Sequence, residues 1–337
     1  MNKNDIFMLN TRFVLIVTVV LGNLLMPVIP HDSGANAIVL TIFTFHMPVF
    51  VFVTGYFSKS FTEDPHYLQV LMRIFLQYVV FQTIYSTLDF FYFHTEGSIY
   101  SFWAPYWMLW FLLSHLFWKL LLLGFVKLKH PIAAAILLGT LIGYLPFDGF
   151  WLSAGRTFIF FPFFLAGYYY NGAGLRKAAR HFSVKLTALA VLALLLALFY
   201  NGVFQLQLGW LLGSRTYTEL HMHEWYAALF RLAVYVLAVV VSLAFLLLQT
   251  DKKSIVTEWG ERTVYVFLTH GAALKLLAAA GVYRSAEHVG ALWVLLGTGL
   301  ILTLLLSHRK VAELTRPLIH PDPELLLGKM KKLLSHH

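Results

Sequence analysis

A few polar side chains lie within the long apolar stretches of this chain, and their functional groups could take part in catalysis. His46 lies in a long apolar run, two residues before Pro48, and His270 lies in a later run. An imidazole can act as a general base toward a hydroxyl group. Because a titratable group in hydrocarbon is costly, each histidine is a candidate for function. The alternative for His46, and for Asn23 in the first run, is a hydrogen bond between helices without chemistry.

Cationic side chains accompany these residues at helical spacing. Arg12 precedes Asn23 by eleven positions, which on a helix places both on one face, ~16 Å apart along the axis. Arg73 lies near the start of a third run, and its guanidinium suits a phosphate group. The alternative for both arginines is an anchor that reaches the membrane surface. Lys119, four positions after His115, is set aside on that ground.

The elements that must position these residues are membrane-spanning helices. Hydrophobic residues make up 59% of the 337 residues and charged residues only 12%, whereas a soluble domain carries roughly 25% charged residues. About ten apolar runs have the length of a spanning helix, so the prediction is an all-α, polytopic membrane protein. The predicted spans are 13–29, 37–56, 69–91, 102–124, 131–146, 156–172, 184–201, 224–248, 263–281 and 289–307.

The distribution of positive charge predicts the orientation. When the N-terminus is placed inside, Lys and Arg concentrate in the inner segments, and the outer segments hold few cations and more acids, as the positive-inside rule requires. The prediction is an even number of spans with both termini inside. The net charge of +9 then reflects topology and contact with anionic inner-leaflet lipids, so no nucleic acid partner is expected. Arg156, on the predicted outer side, opposes this trend and is therefore a functional candidate.

The chain is interpreted as one membrane domain, residues 1–310, followed by a basic cytoplasmic tail, residues 311–337. Within the tail, residues 324–334 are predicted to form an amphipathic helix on the inner leaflet. The absence of cysteine excludes disulfides and thiolate chemistry. No metal is expected, since residues 221–224 (HMHE) are only a weak metal candidate at the outer surface. Inverted broken helices typical of many secondary transporters are not found.

Four segments, in sequence order, resemble one family. Residues 45–59 (FHMPVFVFVTGYFSK) are similar to its FHMPLF…SGYFSK segment, and residues 107–118 (WMLWFLLSHLFW) resemble its WFLLALFLW span. Residues 155–168 (GRTFIFFPFFLAGY) resemble its arginine-led FFPFFLLGY span, and residues 259–270 (WGERTVYVFLTH) resemble its closing element. The chain thus resembles the membrane-bound acyltransferase family 3, and within it the branch labelled fucose 4-O-acetylase-like.

The resemblance implies ten core helices that transfer an acyl group, usually acetyl, from cytoplasmic acyl-CoA (acetyl-CoA). The acceptor it implies is a hydroxyl group of a cell-envelope glycan or glycolipid, and the expected location is the bacterial cytoplasmic membrane. In the family's first span a basic residue is followed, after ten residues, by a histidine assigned as the base. Arg12 matches the basic position, but the histidine position is Asn23, which cannot accept a proton from a hydroxyl group.

Three explanations for this departure stay open. Another imidazole, His46 or His270, serves as the base, or the chain is an engineered or natural inactive form. In the third, the chain is a non-catalytic relative that exports or flips a surface glycan or a lipid-linked intermediate.

The catalytic explanation predicts a role for each candidate residue. The acyl-CoA enters from the inner face, and Arg12, Arg73 and Lys59 hold its phosphates electrostatically. His46 or His270 deprotonates the acceptor hydroxyl. Asn23 donates a hydrogen bond to the thioester oxygen or to the acceptor, and Arg156 binds the acceptor or stabilises the oxyanion.

Overall fold

The computed structural model describes residues 1–95, 100–145, 151–285 and 290–321. All regular structure in these ranges is helical, which confirms the all-α class. The α-helices are α1 (Lys3–Leu25), α2 (Ser33–Tyr56), α3 (Tyr67–Leu88), α4 (Trp110–Phe125), α5 (Pro131–Leu141), α6 (Ala154–Tyr169), α7 (Ala173–Ala178), α8 (Phe182–Tyr200), α9 (Leu208–Leu212), α10 (Ala227–Leu247), α11 (Ile255–Glu261), α12 (Thr263–Ala279), α13 (Ala291–Leu306) and α14 (Arg309–Ile319).

Membrane-length helices dominate this part of the chain and confirm a polytopic membrane protein. Within the described ranges, α13 and α14 are apolar and long enough to cross a membrane only if they are taken together, and their axes are bent by 70° relative to each other. α5 with its short continuation, and α12, are shorter apolar helices. Each of the ten predicted spans contains a helix, and the orientation stays a prediction. Among the described residues, six helices are long and apolar enough to cross a membrane: Lys3–Val28, Ser33–Tyr56, Tyr67–Phe93, Trp107–Phe125, Phe182–Tyr200 and Ala227–Leu247.

Local signals fix the starts of the first two helices, which carry Arg12, Asn23 and His46. The side chain of Asn2 accepts from the backbone N–H of Asp5 at 2.9 Å, and the Asp5 carboxylate accepts from the N–H of Asn2 at 3.1 Å. The Asp32 carboxylate accepts from the N–H of Ala35 at 2.8 Å. These caps satisfy backbone donors that would otherwise be unpaired, so the helices begin at defined positions and hold their faces in register.

A glycine contact joins α2 to α6. A methyl group added at Gly55 would lie 2.0 Å from the carbonyl oxygen of Phe164, and one added at Gly167 would lie 1.9 Å from the carbonyl oxygen of Phe52. Any side chain larger than hydrogen would separate the two backbones, as in small-residue interfaces between membrane helices. The contact therefore fixes the position of α2, which carries His46, against α6.

The last described helix, α14, packs against α3, α12 and α13. The side-chain amide of Gln77 donates to the carbonyl of Ile319, so the end of α14 is tied to α3. We call this end of the bundle, where α1 and α3 begin, the inner end, following the predicted orientation. The predicted division at residue 310 falls in the first turn of α14 and stays a prediction. The predicted tail helix, residues 324–334, lies outside the described residues.

Candidate functional site

A cavity of about 160 Å³ lies in the outer half of the bundle, and we call it the outer cavity. Its polar lining consists of Asn23 from α1, His46 from α2 and Arg156 from α6. The rest of the lining is apolar and aromatic, including Trp107 and Trp110. Three of the four residues proposed as catalytic are therefore brought to one enclosed space.

His46 presents a free ring nitrogen to this cavity. Its Nδ1 lies 2.9 Å from the carbonyl oxygen of Ile42, one turn earlier on α2. Because a carbonyl oxygen only accepts, Nδ1 carries the proton, and Nε2 of the neutral ring carries a lone pair. The side chain is only 5% exposed, and the Phe43 ring packs edge-on against it at 4.5 Å. His46 is thus held in the tautomer that a general base requires.

His270 is engaged differently. Its Nδ1 donates to the carbonyl of Phe267 at 2.7 Å, while its Nε2 lies 3.2 Å from Nδ2 of Asn23. With Nδ1 protonated, Nε2 accepts the hydrogen bond from the Asn23 amide. His270 is fully buried and is not part of the lining of the outer cavity. The lone pair of His270 is therefore used to orient Asn23, and His46 is the better placed base.

Arg156 supplies a guanidinium group without a carboxylate partner in the described part of the chain. Its Nε is buried and has no hydrogen-bond partner there. The guanidinium lies over the Trp110 ring, 4.9 Å from the ring centroid, an arrangement that stabilises the cation through the ring face. Its unused N–H donors line the outer cavity, where they can bind an oxygen-rich ligand or an oxyanion.

The backbone beside the outer cavity is strained. Leu152 and Ser153, immediately before α6, have φ values of 52° and 51°, and Trp107 in the cavity wall has φ of 39°. A left-handed conformation costs a non-glycine residue roughly 1–2 kcal/mol. The N–H of Leu152 donates to the carbonyl of Trp103 at 2.6 Å, which holds the turn. Such strain concentrates at functional sites, and here it sets the positions of Arg156 and Trp107.

A second cavity, of about 180 Å³, lies nearer the inner end, and we call it the inner cavity. Arg12, His115 and Lys119 line it, and none of its described lining residues is acidic. Lys119 donates to the hydroxyl of Ser58 at 3.1 Å and lies 4.2 Å from the centroid of the Phe61 ring. Nε2 of His115 is buried and has no partner among the described residues. The cavity therefore offers positive charge and hydrogen bonds to an anionic or carbonyl-bearing ligand.

Setting Lys119 aside as a surface anchor was wrong, because the side chain is only 6% exposed and points into the bundle. The helical spacing of His115 and Lys119 was visible in the sequence, but the depth of α4 in the bundle was not. The sequence did contain one indication that Lys119 belongs to a site. Lys119 on α4 and Arg12 on α1 lie at similar predicted depths in the membrane.

Three phenylalanine rings separate the two cavities. Phe50 from α2, Phe111 from α4 and Phe267 from α12 line both cavities. The Phe111 ring lies 5.3 Å from the Phe50 ring and 5.4 Å from the Phe267 ring, both edge to face. We call these residues the phenylalanine partition.

The three residues predicted to hold phosphates together are in three different places. Arg12 lines the inner cavity, whereas Lys59 donates to the carbonyl of Tyr170 and lies over the Tyr56 ring at 4.4 Å. Arg73 lies in an open groove at the inner surface. The sequence could not show this, because Arg12 and Arg73 lie on helices, and Lys59 just after one, whose packing partners differ.

Metal binding has no support in the described residues, since they contain no group of three His, Cys, Asp or Glu side chains placed to hold an ion. The weak candidate at residues 221–224 thus has no such group around it.

Comparison with known proteins identifies the family. Residues 7–308 match the model of the acyltransferase 3 family, which is described as an acyltransferase domain. No curated protein and no solved structure matches the chain. The match includes the helices that carry Arg12, Asn23, His46, Arg156 and His270. The chain therefore belongs to the acyltransferase 3 family.

Proposed function

We propose that the protein is a membrane O-acyltransferase. It moves an acyl group, most simply acetyl, from cytoplasmic acyl-CoA to a hydroxyl group of a cell-envelope glycan or glycolipid. Family membership supports acyl transfer, and the enclosed position of His46, Asn23 and Arg156 supports a reaction in the outer half of the bundle. The bacterial cytoplasmic membrane and the fucose 4-O-acetylase-like branch belong to the same proposal.

The observation that carries the proposal is the tautomer of His46. Its protonated Nδ1 is bound to the carbonyl of Ile42 at 2.9 Å, so Nε2 can take the proton of an acceptor hydroxyl in the outer cavity. Such general base catalysis contributes about 10²–10⁴-fold. In this reading, His46 replaces the base that Asn23 cannot provide, and His270 orients the Asn23 amide.

The step itself needs no further reactant. The acceptor oxygen loses its proton to Nε2 of His46 and attacks the thioester carbonyl carbon, forming a C–O bond. The negative charge on the former carbonyl oxygen is stabilised by donors from Asn23 and Arg156. The C–S bond then breaks, and the sulfur leaves as the thiol of CoA after taking the proton from the His46 imidazolium.

The donor must reach this site from the inner end. The inner cavity, with Arg12, His115 and Lys119, lies on that path and supplies hydrogen-bond donors along it. A thioester that passes from the inner to the outer cavity has to displace the phenylalanine partition. We therefore expect the side chains of the partition to move when acyl-CoA binds.

Turnover in proteoliposomes tests the proposal. Radiolabelled acetyl-CoA is added at the inner face, and release of CoA and transfer of acetyl are measured for the wild type, Asn23→His and His46→Ala. We expect turnover by the wild type and its loss in His46→Ala. If neither the wild type nor Asn23→His turns over acetyl-CoA, the enzymatic proposal fails. Thermal stabilisation by a glycolipid without any by CoA would then favour an exporter or flippase.

A further inference from the structure

The groove at the inner surface is a positively charged feature that the proposed reaction has not used. It has a volume of about 910 Å³ and lies between α14 and the inner ends of α3 and α12. Among the described residues, four arginines and His320 line it, against two glutamates, Glu258 and Glu313. This part of the lining therefore carries a net positive charge.

The two glutamates do not neutralise the whole groove. Glu258 pairs with Arg262 at 3.3 Å, and Glu313 pairs with Arg309 at 2.7 Å. Arg73 from α3 and Arg316 from α14 have no carboxylate partner in the described part of the chain. Two guanidinium groups are thus free to bind an anion, and planar guanidinium donors suit phosphate oxygens.

His320 lines the same groove as Arg73 and Arg316, and the charges of both arginines affect it. Its ring packs edge-on against Tyr265, with centroids 5.7 Å apart. Burial lowers the pKa of His320, and the charges of Arg73 and Arg316 lower it further. Arg73, Arg316 and His320 therefore line the same groove, which supports one shared site for an anion.

The groove adjoins the inner cavity. Gln77, one helical turn beyond Arg73, lines the inner cavity and donates to the carbonyl of Ile319 at the end of α14. On α12, Val264 lines the inner cavity while the adjacent Tyr265 lines the groove. A ligand with an anionic end in the groove can thus continue toward Arg12 and the outer cavity.

Two leucines lie on the exposed face of α14. Leu314 and Leu318, four residues apart, are 81% and 47% exposed, while Ala312 and Ile319 are buried. An amphipathic helix at this end of the bundle suits the membrane interface. We therefore expect α14 to lie between lipid and protein, with Arg316 in the lining of the groove.

We propose that α14 completes a phosphate-binding site, in which Arg316 and Arg73 bind the phosphates at the nucleotide end of the acyl-CoA donor. This inference rests on the proposed acyltransferase function. The phosphate headgroup of an anionic lipid offers similar chemistry at the same surface. Continuity with the inner cavity favours the nucleotide, because a headgroup site would need no path into the bundle.

Binding of adenosine 3′,5′-bisphosphate to the full-length protein in a neutral, lipid-free detergent tests the site. We expect the bisphosphate to raise the Tm of the wild type, and its Kd to increase about tenfold to a hundredfold in Arg316→Gln, from loss of a charged hydrogen bond. Lys310→Gln is the matched control, since it removes one positive charge from the same helix outside the groove lining. Arg316→Lys is expected to restore part of the affinity, and size-exclusion profiles verify that the variants fold.

Three results would overturn the inference. In one, the bisphosphate does not stabilise the wild type. In another, Arg316→Gln and Lys310→Gln weaken binding equally, which indicates non-specific attraction. In the third, Arg316→Gln has a lower Tm than the wild type only in nanodiscs that contain phosphatidylglycerol. That result would assign the groove to a lipid headgroup.

The binding measurement is independent of turnover, so the two proposals can fail separately. Bisphosphate binding through Arg316 without acetyl transfer would leave the site standing and refute the reaction. Acetyl transfer with a KM for acetyl-CoA that Arg316→Gln does not change would refute the site and leave the reaction standing.

Discussion

The two buried histidines form a natural pair for testing which one is the base. In both, Nδ1 donates to a carbonyl of the residue's own helix, at 2.9 Å for His46 and 2.7 Å for His270. They differ at Nε2, which faces the outer cavity in His46 and accepts from Asn23 in His270. Replacing each histidine by glutamine retains a polar side chain of similar length and removes only the titratable ring.

The expected losses differ by about two orders of magnitude. Removal of a general base at His46 costs about 10²–10⁴-fold in kcat, or about 2.7–5.4 kcal/mol of barrier. At His270 the change removes one hydrogen bond to Asn23, worth about 0.5–1.5 kcal/mol, which is about two- to thirteenfold in rate. His46→Gln is therefore predicted to be the far slower enzyme.

Single-turnover acetyl transfer from acetyl-CoA in proteoliposomes measures this difference without interference from product release. Thermal unfolding of each variant shows whether folding is preserved. The assignment of the base to His46 is refuted if His46→Gln keeps its rate within about threefold of the wild type while remaining folded, or if His270→Gln loses more rate than His46→Gln.

Three further changes test the oxyanion role of Arg156 and the packing of the bundle. Arg156→Gln is expected to lower kcat about 10²–10³-fold, while Arg215→Gln in an outer loop leaves kcat unchanged; equal effects in a turnover assay would contradict an oxyanion role. Gly167→Ala should lower stability by ~1–3 kcal/mol through overpacking against α2, whereas Gly124→Ala, with open space around it, should not, as thermal unfolding can check. Asp89→Asn removes the buried carboxylate of an ion pair whose lysine, Lys275 of α12, is 17% exposed; loss of this charged hydrogen bond should cost ~1.5–3 kcal/mol, and an unchanged Tm would argue against that cost.

The arrangement of helices could be predicted from the sequence because hydrocarbon leaves the backbone few options. The mid-span depth of His46 and Asn23 was also readable, since depth follows from position along an apolar run. The structure places both on the outer cavity with Arg156. Which ring nitrogen of each histidine is free could not be predicted, because that depends on side-chain orientation within the bundle.

Contacts between distant parts of the chain explain what the sequence did not show. The hydrogen bond from Asn23 to His270 joins residues 247 positions apart, and the one from Gln77 to Ile319 joins residues 242 positions apart. No local pattern encodes such pairs. The burial of Lys119 was missed for the same reason, since it depends on the packing of α4 against Ser58 and its neighbours.

The phenylalanine partition also bears on how a membrane keeps its ion gradients. The inner and outer cavities contain polar groups that attract water, and they lie toward opposite halves of the bundle. If they were joined, a column of water could carry protons across the bilayer, and each charge would release ~2.3 kcal/mol per 100 mV of membrane potential. The rings of Phe50, Phe111 and Phe267 place an apolar layer between the two cavities, which would interrupt such a column of water. The proposed reaction, which takes its donor and acceptor from opposite sides, needs such a barrier to proceed without discharging the membrane.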